Sequence, residues 1–193
     1  MEVRRSPHRV LILAALIGAG SLACGGVKGM LPKEVYDADL TCDGEAIART
    51  PRGKDCVTAE LVCGDSVTGT TVKGASNYGD KFYSGDSFCS SLPDNYEGPE
   101  RVYRLNMPAN AEAEVLLDSP CEDLDLFAIR WPDQHTCPNE QHSISQCDED
   151  DSKGDGSLML YSDKRPRTFL LVVDGKESAT GEFGLKVNCW ERG

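Results

Sequence analysis

The tripeptide Gly-Asp-Ser occurs twice, at Gly64-Asp65-Ser66 and Gly85-Asp86-Ser87. A serine so placed becomes a nucleophile only when a histidine takes its proton and an acid orients that histidine. After the N-terminal segment the histidines are His135 and His142; none follows position 142, and neither serine is followed by Gly-Gly-Pro. Both tripeptides therefore read as β-turn chemistry. His135 and His142 with Cys137 and Cys147 offer a set that zinc could take as imidazole and thiolate. An oxidising compartment consumes such thiols, so a Cys137–Cys147 disulfide closing a short loop is expected instead. Calcium is the stronger metal candidate, because hard cations gather carboxylate and carbonyl oxygens. Asp148, Glu149, Asp150, Asp151 and Asp155 crowd one stretch, and Asp148, Asp150, Asp151 and Asp155 are its candidate ligands. Counted from Asp148, Lys153 and Met159 occupy the places where an EF-hand loop has its glycine and terminal glutamate, so that register fails. A solvated acidic loop is the competing reading. Trp131, Trp190, Tyr78, Tyr83 and Tyr96 are either a platform for a glycan or peptide or ordinary core and rim packing.

Elements must position these groups, and composition restricts which. The chain has 193 residues, 39% hydrophobic and 27% charged, with 19 glycines and 10 prolines. That is a turn-rich globular composition rather than a helical bundle. A net charge of −12 excludes a phosphate-binding nucleic-acid surface. Nine cysteines point outside the reducing cytosol.

Residues 1–23 carry Arg4, Arg5 and Arg9, then the apolar run 10–17, then small residues, which is the pattern of a secretory leader. The run is far short of the ~20 residues of a spanning helix. Ser21-Leu22-Ala23-Cys24 resembles the lipobox of bacterial lipoproteins, with Ser21 where leucine is commonest. The resemblance implies cleavage before Cys24, its acylation and a membrane anchor; an ordinary signal peptide is the alternative. Acylation also explains the odd cysteine, since Cys42, Cys56, Cys63, Cys89, Cys121, Cys137, Cys147 and Cys189 remain as an even set for four disulfides. Cys42 with Cys56 and Cys137 with Cys147 are the expected local pairs. The expected location is the bacterial cell envelope, lipid-anchored at the outer membrane and either periplasmic or surface-exposed.

Four segments follow. Residues 1–23 are the leader, 24–41 the lipidated cysteine and a glycine-rich flexible tether, 42–56 a small disulfide loop, and 57–193 the main domain. Within the last, short runs with strand character lie at 57–63, 66–72, 101–105, 113–117, 124–131, 158–161, 169–174 and 182–189, bounded by turn residues. They predict an all-β, antiparallel, disulfide-stabilised sandwich. Alternation at 102–105 and 183–187 gives each of those strands one buried face, whereas the unbroken apolar run 169–173 predicts a central strand. Residues 109–117 hold good helix formers after Pro108, but strands on both sides favour a turn and a strand.

Gly98-Pro99-Glu100-Arg101-Val102-Tyr103-Arg104-Leu105, Asp123-Leu124-Asp125-Leu126-Phe127, and the pair 169–175 and 181–187 together resemble, in order and spacing, the bacterial pre-peptidase C-terminal domain. The resemblance spans about residues 60–189. It implies a small, jelly-roll-like β-sandwich acting as a binding or accessory module, without catalysis. The departures are the absence of a peptidase ahead of it, the many cysteines and the acidic insertion at 147–151. The expected partners are a membrane, through the lipid, and a protein, matrix or glycan ligand; a secreted hydrolase of unrecognised type is the alternative.

Overall fold

The computed structural model describes residues 36–43, 56–83, 96–132, 137, 144–147 and 154–192. In chain order the elements are β1 (Ala59–Leu61), β2 (Ser66–Thr70), the short helix α1 (Asp80–Tyr83), β3 (Arg101–Met107), β4 (Ala111–Ser119), β5 (Leu124–Arg130), β6 (Ile144–Cys147), β7 (Gly154–Tyr161), β8 (Arg167–Gly175) and β9 (Glu182–Glu191). They form a five-stranded sheet ordered β1-β3-β8-β5-β6 and a four-stranded sheet ordered β2-β9-β4-β7. All pairings are antiparallel except β1 with β3. That parallel pair is reached through a long excursion of chain, as parallel neighbours require. The fold is a disulfide-stabilised β-sandwich.

Alternation builds the core between the sheets. Tyr103, Leu105, Leu126, Ala128, Leu171 and Val173 of the larger sheet meet Ala113, Val115, Leu117, Leu160, Leu185 and Val187 of the smaller one. The run 169–173 is the central strand β8, as its unbroken apolarity predicts, because both of its faces are buried. Leu170 and Val172 point away from the inter-sheet core into a second cluster with Val102, Phe127 and Ile129. Tyr78, Phe82, Tyr83, Tyr96 and Trp131 cover that second face. Residues 109–117 resolve as a turn and strand, with Asn110 in the left-handed region (φ 53°) just before β4.

The disulfides correct the expected local pairs. Cys42 bonds Cys121, Cys56 bonds Cys137, and Cys63 bonds Cys189. Neither the Cys42–Cys56 loop nor a Cys137–Cys147 loop exists, because the fold brings each bonded cysteine beside one distant in sequence. Each bridge closes a long stretch of chain, with separations of 79, 81 and 126 residues. In the chain-entropy model long closures restrict the unfolded state most. Cys89 lies outside the described residues, and of Cys147 only the backbone is described.

Candidate functional site

The outer face of the four-stranded sheet is half covered. Residues 36–43 run along it: the Ala38 amide donates to Asp118 Oδ2 at 2.7 Å, the Cys42 amide donates to Glu182 Oε2 at 3.2 Å, and Lys186 sits 5.9 Å from the Tyr36 ring centre. Gly184 makes this possible, since a Cβ there would overlap Ala38 and Tyr36. Residues 36–41 thus belong to the body rather than to the tether in which the sequence placed them.

The other half is open. Register aligns Trp190 of β9, Glu112 of β4 and Tyr161 of β7 in one row across three strands. Trp190 is 42% exposed and Tyr161 39%. Three adjacent strands place the two rings about 10 Å apart, from a strand spacing of ~4.8 Å. Between them Glu112 Oε2 accepts a hydrogen bond from Trp190 Nε1 at 2.9 Å, and its Oε1 lies 3.5 Å from Arg192 Nε. Arg192 also packs over the Tyr161 ring, 5.5 Å from its centre. Beside Trp190 opens a cleft of about 360 Å³ floored by Pro108–Ala111 and the Cys63–Cys189 bridge. The site therefore joins an exposed indole, a second aromatic ring, a carboxylate and a guanidinium, each oriented by its neighbours.

The outer face of the five-stranded sheet holds a polar cluster at one end of its aromatic layer. Asp125 and Asp174 are directly paired across β5 and β8, on the side where Phe127 and Val172 also point. Asp174, fully buried, accepts from Tyr83 Oη at 2.7 Å and from the Gly175 amide at 2.8 Å. Burial pushes its carboxyl up to about 8, opposed by those two hydrogen bonds. Tyr96 Oη donates to Asp125 Oδ2, and Lys176 Nζ lies 3.6 Å from the same oxygen. Glu100 accepts from the Asn77 amide at 2.9 Å and from Asn77 Nδ2 at 3.1 Å, and burial raises it to about 7. Tyr78 Oη, buried nearby, makes no hydrogen bond.

Four of the five aromatics singled out in the sequence are therefore core: Tyr78, Tyr83, Tyr96 and Trp131 are each 5% exposed or less, and Trp190 alone can act as a platform. The ring stack explains why. Tyr83 stacks on Phe127 at 4.1 Å, and Tyr96 meets both rings edge-on at 5.0 and 5.4 Å. Tyr161 and Arg192, which complete the open row, were missed; strand alternation read from Leu158 and Leu160 outward points to Tyr161.

Gly64-Asp65-Ser66 is a turn, as expected. Gly64 has φ 93°, the Asp65 amide donates to the Val62 carbonyl at 3.1 Å, and the Ser66 hydroxyl is engaged with Tyr36. Gly85-Asp86-Ser87, His135, His142, Cys24, Asp148, Asp150 and Asp151 lie outside the described residues, while Asp155 sits at the start of β7, paired with Asp118. Among the described residues no group of three histidine, cysteine, aspartate or glutamate side chains is disposed to hold a metal ion. Among them, too, no helix is long and apolar enough to cross a membrane.

No family model matches this sequence, and no curated protein matches it. Among solved structures it is similar to the pre-peptidase C-terminal domain of a collagenase from Bacillus anthracis, at 11% identity and a TM-score of 0.41, over 68% of this chain and 96% of that one.

Proposed function

We propose that the chain is a non-catalytic cell-envelope lipoprotein that displays its sandwich as a binding module, with the Trp190–Glu112–Tyr161 row as the ligand face. The observation that carries this reading is the exposure of Trp190 and Tyr161 in register on a face whose other half is covered. An indole face receives the apolar C–H side of a pyranose ring, and a flanking carboxylate and guanidinium satisfy its hydroxyls. An extended glycan is therefore the ligand class. The sequence resemblance of 98–105, 123–127 and 169–187 to pre-peptidase C-terminal domains supports an accessory role. The lipobox-like Ser21-Leu22-Ala23-Cys24 supports the anchor, and three disulfides agree with an oxidising location. On this reading the acidic stretch 148–155 takes calcium: a rise in melting temperature with millimolar calcium supports that, and an unchanged one leaves the alternative of a stretch that only solvates the surface.

Two experiments test the proposal. Fatty-acid labelling marks the wild type and not Cys24→Ala; equal labelling removes the anchor. Co-sedimentation with insoluble peptidoglycan, chitin and cellulose retains the wild type on at least one polymer and releases Trp190→Ala. Retention of both proteins alike, or of neither, overturns the glycan face. Turnover of ester, peptide or glycan substrates that is lost in Ser66→Ala would instead favour a hydrolase.

A further inference from the structure

From the buried pairing of Asp125 with Asp174 and the placement of Lys176 on the same carboxylate, we propose that Asp125 and Lys176 condense to an intramolecular amide, with Asp174 carrying the proton. The amine lies 3.6 Å from Asp125 Oδ2, one C–O bond from the carbon it attacks. Asp125 is 3% exposed and the Lys176 side chain 14%, so water is largely excluded from both. Tyr96 Oη fixes the Asp125 carboxyl by hydrogen bonding to Oδ2. Lys176 is held by its backbone: it follows Gly175 at the end of β8, and the Ala179 amide donates back to its carbonyl at 2.8 Å. Two fixed partners at this separation resemble a bimolecular reaction already brought to close range.

A carboxylate and an ammonium taken out of water gain by passing a proton between them, because burial penalises charge. In the proposed step the proton first passes from Lys176 to Asp125, which leaves an amine and a carboxylic acid. The Nζ lone pair adds to Cγ of Asp125, and Asp174 takes a proton from the nitrogen and delivers it to the departing hydroxyl. The C–OH bond breaks, the C–N bond remains, and one water leaves; no electrons are transferred to or from any other group. A carboxyl raised toward neutrality by burial, as Asp174 is, can both accept and donate that proton near neutral pH. Glu100 and, while it is ionised, Asp125 add to that elevation through their charges. The product is a covalent tie between the start of β5 and the end of β8, outside the reach of reductants that open the three disulfides.

Trypsin mapping of the reduced, exported full-length chain tests this directly. Condensed Lys176 resists cleavage, so peptide 105–130 is expected joined to peptide 168–186, lighter than the two together by the mass of one water. Lys176→Arg, which keeps the charge, and Asp125→Ala each abolish the joined species. Asp174→Asn greatly slows its appearance while near-ultraviolet circular dichroism stays native. Wild-type protein that yields free 105–130 and a peptide ending at Lys176 overturns the bond. Joining that persists in Lys176→Arg overturns its assignment, and joining at the wild-type rate in folded Asp174→Asn overturns the proton carrier.

Discussion

The two outer faces of the sandwich are built from the same alternation and have opposite fates. Over the five-stranded sheet, Tyr78, Phe82, Tyr83, Tyr96 and Trp131 form an aromatic cover, clamped by Cys56–Cys137. Over the four-stranded sheet, residues 36–43 form a partial cover, clamped by Cys42–Cys121. Coverage decides chemistry. Under the aromatic cover carboxylates lose water, so Asp174 and Glu100 are raised toward neutral pH. On the open half Glu112 is free to bridge Trp190 and Arg192 at the surface. The second face exposes aromatic rings to solvent, whereas the first buries its rings and carboxylates together.

The sharpest way to break this contrast is to delete a ring from each face. Phe127→Ala should cost about 3–5 kcal/mol, since it empties the middle of the aromatic layer, whereas Trp190→Ala should change stability by no more than about 0.5 kcal/mol. Denaturant unfolding measures both, and equal losses would erase the distinction. The two clamps come next. Removing Cys42–Cys121 or Cys56–Cys137 by paired serine substitutions should each cost about 2–4 kcal/mol, and the first should also loosen residues 36–43 in hydrogen exchange. A free-thiol count on the unreduced wild type adds to this: four disulfides leave no thiol from Cys89 or Cys147, and two reactive thiols contradict that total.

A smaller effect follows from protonation. Asp174 and Glu100 have folded-state values raised to about 8 and about 7, above ordinary values of 3.8 and 4.5. The folded state therefore binds more protons than the unfolded state between those limits. Their contribution is complete below about pH 4 and is lost as pH rises through about 7 and 8. Stability measured from pH 4 to 9 should fall by roughly a few kcal/mol from this source. Asp174→Asn should flatten the upper part of that slope, and an unchanged slope would contradict a buried carboxyl of raised affinity for protons.

Much of this contrast is legible in the sequence, and the remainder is lost for physical reasons. Alternation at 102–105 and 183–187 and the unbroken run 169–173 announce a half-buried and a doubly buried strand, and β3, β9 and β8 occupy those places. The edge strand β6, Ile144–Cys147, is hidden because an edge strand needs little apolar patterning and this one adjoins an acidic stretch. Disulfide pairing is hidden because it depends on which strands become neighbours: Cys63 and Cys189 meet only after β1 and β9 take their places in different sheets. The carboxylate cluster left a faint trace. Asp125, Phe127 and Ile129 share one side of β5, as Asp174, Val172 and Leu170 share one side of β8, so each aspartate extends an apolar stripe. A charged residue continuing such a stripe is a sign that it is buried and paired. Trp190 could not be separated from Trp131 by sequence, since both stand at strand ends and only the cover of each face distinguishes them.

The chain's two tryptophans, Trp131 at 5% exposure and Trp190 at 42%, report separately on the two faces. Fluorescence titration of Trp131→Phe and Trp190→Phe with a soluble oligosaccharide of whichever polymer retains the wild type therefore tests the division most directly. The account predicts a saturable change in Trp131→Phe, where Trp190 is the reporter, and none in Trp190→Phe. A saturable change of equal size and affinity in Trp190→Phe, or no change in Trp131→Phe while the wild type still binds, would contradict it.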